Sequence, residues 1–350
     1  MEHSLPGHKR RSLAGDADRL IGWMRRGTLG LGGSVALLAL LVAFFSLVEP
    51  TTFPRGTTLQ ALMFQVPELG LLSLAMAIPL ISGGINLAII ATANLSGLLM
   101  AWILIAVMPP EAVGVELAWW LFLAMVTGLV LCAIVGLVTG LLVAVVGVHP
   151  ILVTLGTMTL LHGISIYFTR GRTLSGFPEP LIAVANETIF GIPISFVLFT
   201  LVAAAVHIFL TRTALGIRIH MTGSNPEATR FSGVDTARVL VAVYLLSSLL
   251  CWLAAVVMMA RFNAAGAEIA QFYLLITILA AILGGIDPYG GFGRIAGLFV
   301  ALIILQVIAS GFNIMGLSPH LALASWGGIL LLVVAIKLAK FGFVRARRRQ

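Results

Sequence analysis

The chain has 350 residues, of which 60% are hydrophobic and 10% charged, where an ordinary soluble domain carries about a quarter charged residues. That excludes a soluble enzyme with a hydrated surface. The formal charge of +8 does not point to nucleic acid, because the cations gather at the two ends and in one internal loop, where a membrane protein needs them.

Residues 1–29 form a basic segment with Lys9, Arg10, Arg11, Arg19, Arg25 and Arg26. No small-residue cleavage site follows the first apolar block, so that block is expected to stay as a helix. Apolar blocks near 30–48, 65–82, 86–107, 118–146, 150–169, 192–210, 239–260, 271–284, 294–311 and 321–339 have lengths suited to a hydrocarbon core of about 30 Å. The expected fold class is all-α: a polytopic membrane domain over 30–339 with about ten spans, followed by a basic tail at 340–350. The fourth block is long enough for one tilted helix or a helix and a half, and the eighth is short.

Charge decides the parity. With ten spans and both termini cytoplasmic, 17 Lys and Arg fall inside and four outside, these being Arg55, Arg170, Arg172 and Arg261. This satisfies the positive-inside rule. Dividing the fourth block into two spans would move the basic 211–238 loop outside, so it is read as one helix. Trp119 and Trp120 then anchor its outer end.

The interior is nearly free of ionisable groups, which argues against proton or sodium coupling. Glu68, after Pro67 at the start of the second span, reads as an interfacial residue rather than a relay carboxylate. Cys132 and Cys251 sit in apolar runs and offer neither a disulfide framework nor a zinc site. No zinc-binding His pair, nucleophile elbow or P-loop is present, so the chain is expected to be no enzyme and to hold no metal or cofactor of its own. The stretch Gly284–Gly293 lacks phosphate-binding spacing and reads as a tight turn between helices.

The loop 211–238 is the longest between spans. Ser224 or Asn225 can cap a short helix with Pro226 at its first position and Glu227 in its first turn, which Gly233 ends. Such a helix is either a positively charged connector or a docking element for a cytoplasmic partner.

The run from Gly216 to Arg218 and then Gly223-Ser-Asn-Pro-Glu-Ala-Thr-Arg-Phe-Ser-Gly-Val234 resembles the coupling loop of the ribose-type sugar permeases of bacterial ABC importers, grouped with the simple-sugar and autoinducer-2 permeases. Ile81-Ser-Gly-Gly-Ile-Asn-Leu87, Pro150–Met158 and Ile282–Gly291 resemble three further elements of that family in order and spacing. The likeness covers about residues 60–338. It implies a bacterial inner-membrane subunit whose partners are a cytoplasmic ATP-binding subunit carrying ATP and Mg, a second permease subunit and a periplasmic solute-binding protein, besides membrane lipid. ATPase coupling would fall to Gly216, Gly223, Asn225, Pro226, Glu227, Ala228, Arg230 and Gly233. One departure stands out: where the family continues with Asp, this chain has Asn86. That leaves the solute open, and leaves homodimer and heterodimer as alternatives.

A neutral polyhydroxylated solute needs uncharged hydrogen-bonding groups at membrane depth. Asn86, Asn94, Ser96, Thr154, Thr157, His162 and Gln306 are the candidates for that pathway, although such residues also join transmembrane helices to one another. The expected function is translocation of a neutral sugar or polyol, delivered by the binding protein and driven by the separate ATPase. The alternative is a stand-alone carrier or facilitator for a small polar solute.

Overall fold

The computed structural model describes residues 31–318 and, beyond them, residues 321, 324–328 and 331. The basic N-terminal segment, most of the tenth predicted span and the C-terminal tail lie outside the described residues. Helices α1 (Leu31–Val48), α2 (Gly56–Ile81), α3 (Ile89–Trp102, continued by a π-helical turn Ile103–Val107), α4 (Val115–Ala144) and α5 (Pro150–Thr169) come first in the chain. After α6 (Glu179–Asn186) follow α7 (Ile194–Arg212), α8 (Ala214–Ser224), α9 (Pro226–Phe231), α10 (Thr236–Phe262), α11 (Tyr273–Leu283) and α12 (Ile295–Ile314). Among the described residues, eight helices are long and apolar enough to cross a membrane, while α11 is a shorter apolar helix of 11 residues. The chain is an all-α polytopic membrane protein.

Local chemistry sets the helix ends. Asp235 Oδ1 accepts from the amides of Ala237 and Arg238 at 3.1 Å to start α10, as an N-cap should. That helix stops where Asn263 takes a left-handed conformation, which Asn tolerates better than most side chains. The fourth predicted block is one unbroken helix of 30 residues, and Trp119 at its start is exposed. The second predicted span begins earlier than expected, at Gly56, because the polar turn before residue 65 continues the helix beyond the apolar run.

The core is the set α2, α3 and α10. Helix α10 packs on α4, α2 and α3, and α12 on α1, α2 and α11. On α4 the buried residues Ala124, Gly128, Cys132, Gly136 and Gly140 recur every fourth position. A Cβ on Gly136 would stand 2.9 Å from Leu245 Cα and on Gly140 2.9 Å from Val241 Cα, so the α4 and α10 backbones meet at a distance only glycine allows. The large apolar side chains of α4 that face outward, Phe122, Val130 and Ile134 among them, are what a lipid-facing surface requires. At one end of the bundle a two-residue pairing joins Leu174–Ser175 (β1) to Ala264–Ala265 (β4), and a hairpin joins Thr188–Ile189 (β2) to Ile192–Pro193 (β3). The opposite end carries α8, α9 and both glycine-rich turns.

Candidate functional site

The segment expected to be a loop with one short helix contains two helices, α8 and α9, hinged at Asn225. Asn225 Oδ1 accepts from Ala228 N–H at 3.0 Å, Pro226 opens α9, and Gly233 follows its end at φ +80°. Ser224, the other possible cap, instead ends α8. Gly216 sits where α8 folds back against α7: Phe209 O and the Leu210 backbone fill the space a Cβ would need. Pro226, Glu227, Ala228 and Arg230 are all exposed, whereas Thr229 is buried and donates its hydroxyl to Asn225 O at 2.8 Å.

Three backbone segments meet at the foot of α2. Gly291 N–H donates to Ile81 O at 2.8 Å. A Cβ on Gly290 would stand 2.6 Å from Gly83 Cα and 2.8 Å from Gly223 O, and the Ile81 carbonyl and Gly291 amide occupy the corresponding space at Gly223. The end of α8, the turn after α2 and the turn after α11 are therefore stacked main chain on main chain. Gly284–Gly293 is the tight turn expected. Within it Asp287 N–H donates to Phe292 O at 2.9 Å, and Asp287 Oδ1 accepts from Tyr289 N–H at 3.0 Å.

The amides and hydroxyls at membrane depth fall in separate places. Asn86 Nδ2 donates to Ser247 Oγ at 2.9 Å, and Ser247 Oγ donates to Ala75 O at 2.7 Å. Ser247 has one proton and spends it on Ala75, so it presents lone pairs to residue 86 and needs a donor there. An amide supplies one; an ionised carboxylate does not. Thr154 reaches the same region, donating to Pro150 O at 2.9 Å with Ile85 O at 3.4 Å. Asn94 lies elsewhere, its amide giving both hydrogens, to Ala267 O and Ile269 O, each at 2.9 Å. Ser96 donates to Gly128 O at 3.2 Å, binding α3 to α4, and Thr157 to Val153 O at 2.9 Å in its own helix. His162 is half-buried on α5, and Gln306 on α12 donates to Gln65 on α2. The structure brings Thr154 to the carbonyl of Ile85, next to Asn86 in the chain, and the hydrogen bonds of the other candidates run to different partners.

Glu68 lies near the outer end of the bundle, since its partner Arg261 is in the last turn of α10, but it does not face solvent there. It is 1% exposed; its Oε2 lies 3.2 Å from Arg261 Nε, and its Oε1 accepts from Tyr273 O–H at 2.8 Å. Arg261 also donates to Phe64 O. The one carboxylate that the sequence places near membrane depth is matched by a guanidinium. The cause is the bundle: burial of a carboxylate is tolerated where a cation and a hydroxyl converge on it, and these come from α10 and α11.

The described residues form a helical membrane bundle with a two-helix insertion seated on a backbone junction. A family model described as the branched-chain amino acid transport system / permease component matches residues 58–334, and the chain belongs to that family. The chain is similar to the D-allose transport system permease protein AlsC of Escherichia coli (strain K12), 28% identical over 305 residues, covering 87% of this chain and 90% of the relative. It is similar also to the autoinducer 2 import system permease proteins LsrD of Yersinia enterocolitica, 28% identical over 312 residues, and of Klebsiella pneumoniae, 29% identical over 315 residues, each covering 87% of this chain and 91% of the relative. No solved structure matches. The chain is thus a multi-pass permease subunit of an ABC importer in the bacterial inner membrane, with the ATPase on a separate subunit, and the stand-alone carrier is set aside.

Proposed function

We propose that this permease carries a neutral sugar or polyol, received from a periplasmic binding protein, through a path completed by a second permease subunit, with α8 and α9 docking the cytoplasmic ATPase. The observation that carries the solute class is electrostatic: the buried Glu68 and the partly buried Arg261 are spent on each other. Among the described residues, the spanning helices away from their ends otherwise offer amides, hydroxyls and the imidazoles of His162 and His207, with no further carboxylate–guanidinium pair. A zwitterionic amino acid would lose the hydration of two charges with no unpaired counter-ion to replace it, whereas a polyol loses only hydroxyl hydration, which amides restore. The D-allose relative supports the same class, despite the amino-acid name of the family. Uptake into vesicles holding the assembled importer is expected to be competed by a hexose, a pentose or a related polyol and unaffected by leucine or valine. Efficient uptake of a branched-chain amino acid would overturn the solute class.

A further inference from the structure

We infer that the Asp287–Phe292 turn is a second contact between this chain and the ATPase subunit, with Tyr289 as its aromatic anchor. The inference rests on the reading of α8 and α9 as the docking element and extends that surface to a segment from another part of the chain.

Tyr289 is 87% exposed, Phe231 at the end of α9 is 92% exposed, and Phe292 is 52% exposed. The turn that presents Tyr289 is held at several points. Pro288 restricts its own backbone, Asp287 binds the amide of Tyr289 and the carbonyl of Phe292, and Gly291 is bonded to the last turn of α2. A large ring held out on a rigid turn loses little conformational freedom on binding, which is the usual make-up of an interface anchor.

Position selects the partner. The turn lies beneath α2, and 72% of the apolar stretch of α2 is buried inside the bundle, against 22% for α4 and for α5. Helices α4 and α5 lie on the perimeter of the bundle and α2 at its centre, so the foot of α2 opens at the end of the bundle and not at its side. A Cβ on Gly291 would stand 2.8 Å from Ser224 Cα, so Tyr289 sits two residues along the turn from the hinge between α8 and α9. A cytoplasmic protein that engages Pro226–Phe231 meets Tyr289 on the same surface, and a rigid main-chain junction joins the two contacts.

The test places benzoylphenylalanine singly at 289, 231, 228 and 190 in the chain assembled with its ATPase and partner permease in membrane vesicles, followed by irradiation. Positions 289, 231 and 228 are expected to give an adduct with the ATPase, and Phe190, exposed in the β2–β3 hairpin at the other end of the bundle, is expected to give none. Tyr289→Ala should weaken ATPase binding by about 5- to 30-fold, the range for loss of an aromatic anchor, and Tyr289→Phe should retain it. Adducts from 228 and 231 but only lipid or second-permease adducts from 289 would overturn this inference and leave the docking reading intact. ATPase adducts from none of the three would overturn both. Unchanged ATPase affinity in a folded Tyr289→Ala subunit would also remove Tyr289 as an anchor.

Discussion

At residue 86 the hydrogen-bond arithmetic is strict. Ser247 gives its proton to Ala75 O, and Asn86 gives an amide hydrogen to Ser247 while its carbonyl accepts from Ala88 N–H at 3.0 Å. Asn86→Asp keeps the shape and removes the donor, leaving two acceptors facing each other in a buried site. It is expected to destabilise the subunit by about 1–3 kcal/mol, read as a lowered unfolding temperature in detergent, with Asn86→Asp/Ser247→Ala recovering part of the loss. A fully stable single variant would contradict this chain of bonds. The sequence could mark Asn86 as an amide on an apolar background, but its partner is 161 positions away, and choosing between solute contact and helix contact required the packing. The same holds for Glu68 and Tyr273, 205 positions apart. Removing one member of the Glu68–Arg261 pair strands a buried charge. Glu68→Leu or Arg261→Met alone is expected to cost about 3–5 kcal/mol, and the double variant to recover most of it. Additive single losses in a double-mutant cycle would show that the pair is not coupled.

Among the elements, those governed by neighbouring residues were the legible ones. The start and stop of α9 follow from Asn225, Pro226 and Gly233, each acting within a few positions, and of the two expected caps the structure uses Asn225. Helix α8 was not legible: its sequence, Ala214–Ser224, mixes Arg218, His220 and two glycines with apolar residues and carries no strong helical stripe. Packing makes it a helix, with Gly216 and Ile219 buried toward the bundle. The glycines of the turns were visible as turn residues, but not that three of the segments lie against one another. This contact gives a sharp prediction for the element. Gly223→Ala adds one methyl group in the space held by Ile81 O and Gly291 N, and should pry α8 from the junction. The subunit is expected to remain in the membrane while uptake falls by at least about tenfold, and Glu227→Arg, on the exposed face of α9, should loosen the ATPase without disturbing the junction. Gly156→Ala on α5, where nothing lies within 4 Å, is the control and should keep normal uptake. Equal tolerance of Gly223→Ala and Gly156→Ala would mean that the main-chain stack does not couple the helices.

For the whole molecule, orientation follows from charge together with connectivity. The end of the bundle that carries α8 and α9 also carries Arg212, Arg218, Arg230, Arg238 and Arg294, while the end that carries the β1–β4 pairing has Arg55, Arg170, Arg172 and Arg261. Arg261 is committed to Glu68, which leaves that end with still fewer free cations to hold it at the cytoplasmic face. The uninterrupted α4 is decisive here, because two spans in its place would reverse every later loop and set the basic insertion on the periplasmic side, against the positive-inside rule. Ser224 and Ser175 are both exposed, one at the α8–α9 hinge and the other in β1, and neither native cysteine competes, since Cys132 and Cys251 are buried. Single cysteines at 224 and 175 are therefore expected to react with a membrane-impermeant maleimide from opposite sides in intact cells and inverted vesicles, with position 224 labelled only from the cytoplasm. Labelling of both from one side would break the alternation of the spans, and labelling of 224 from the periplasm would invert the molecule and carry the docking surface away from any ATPase.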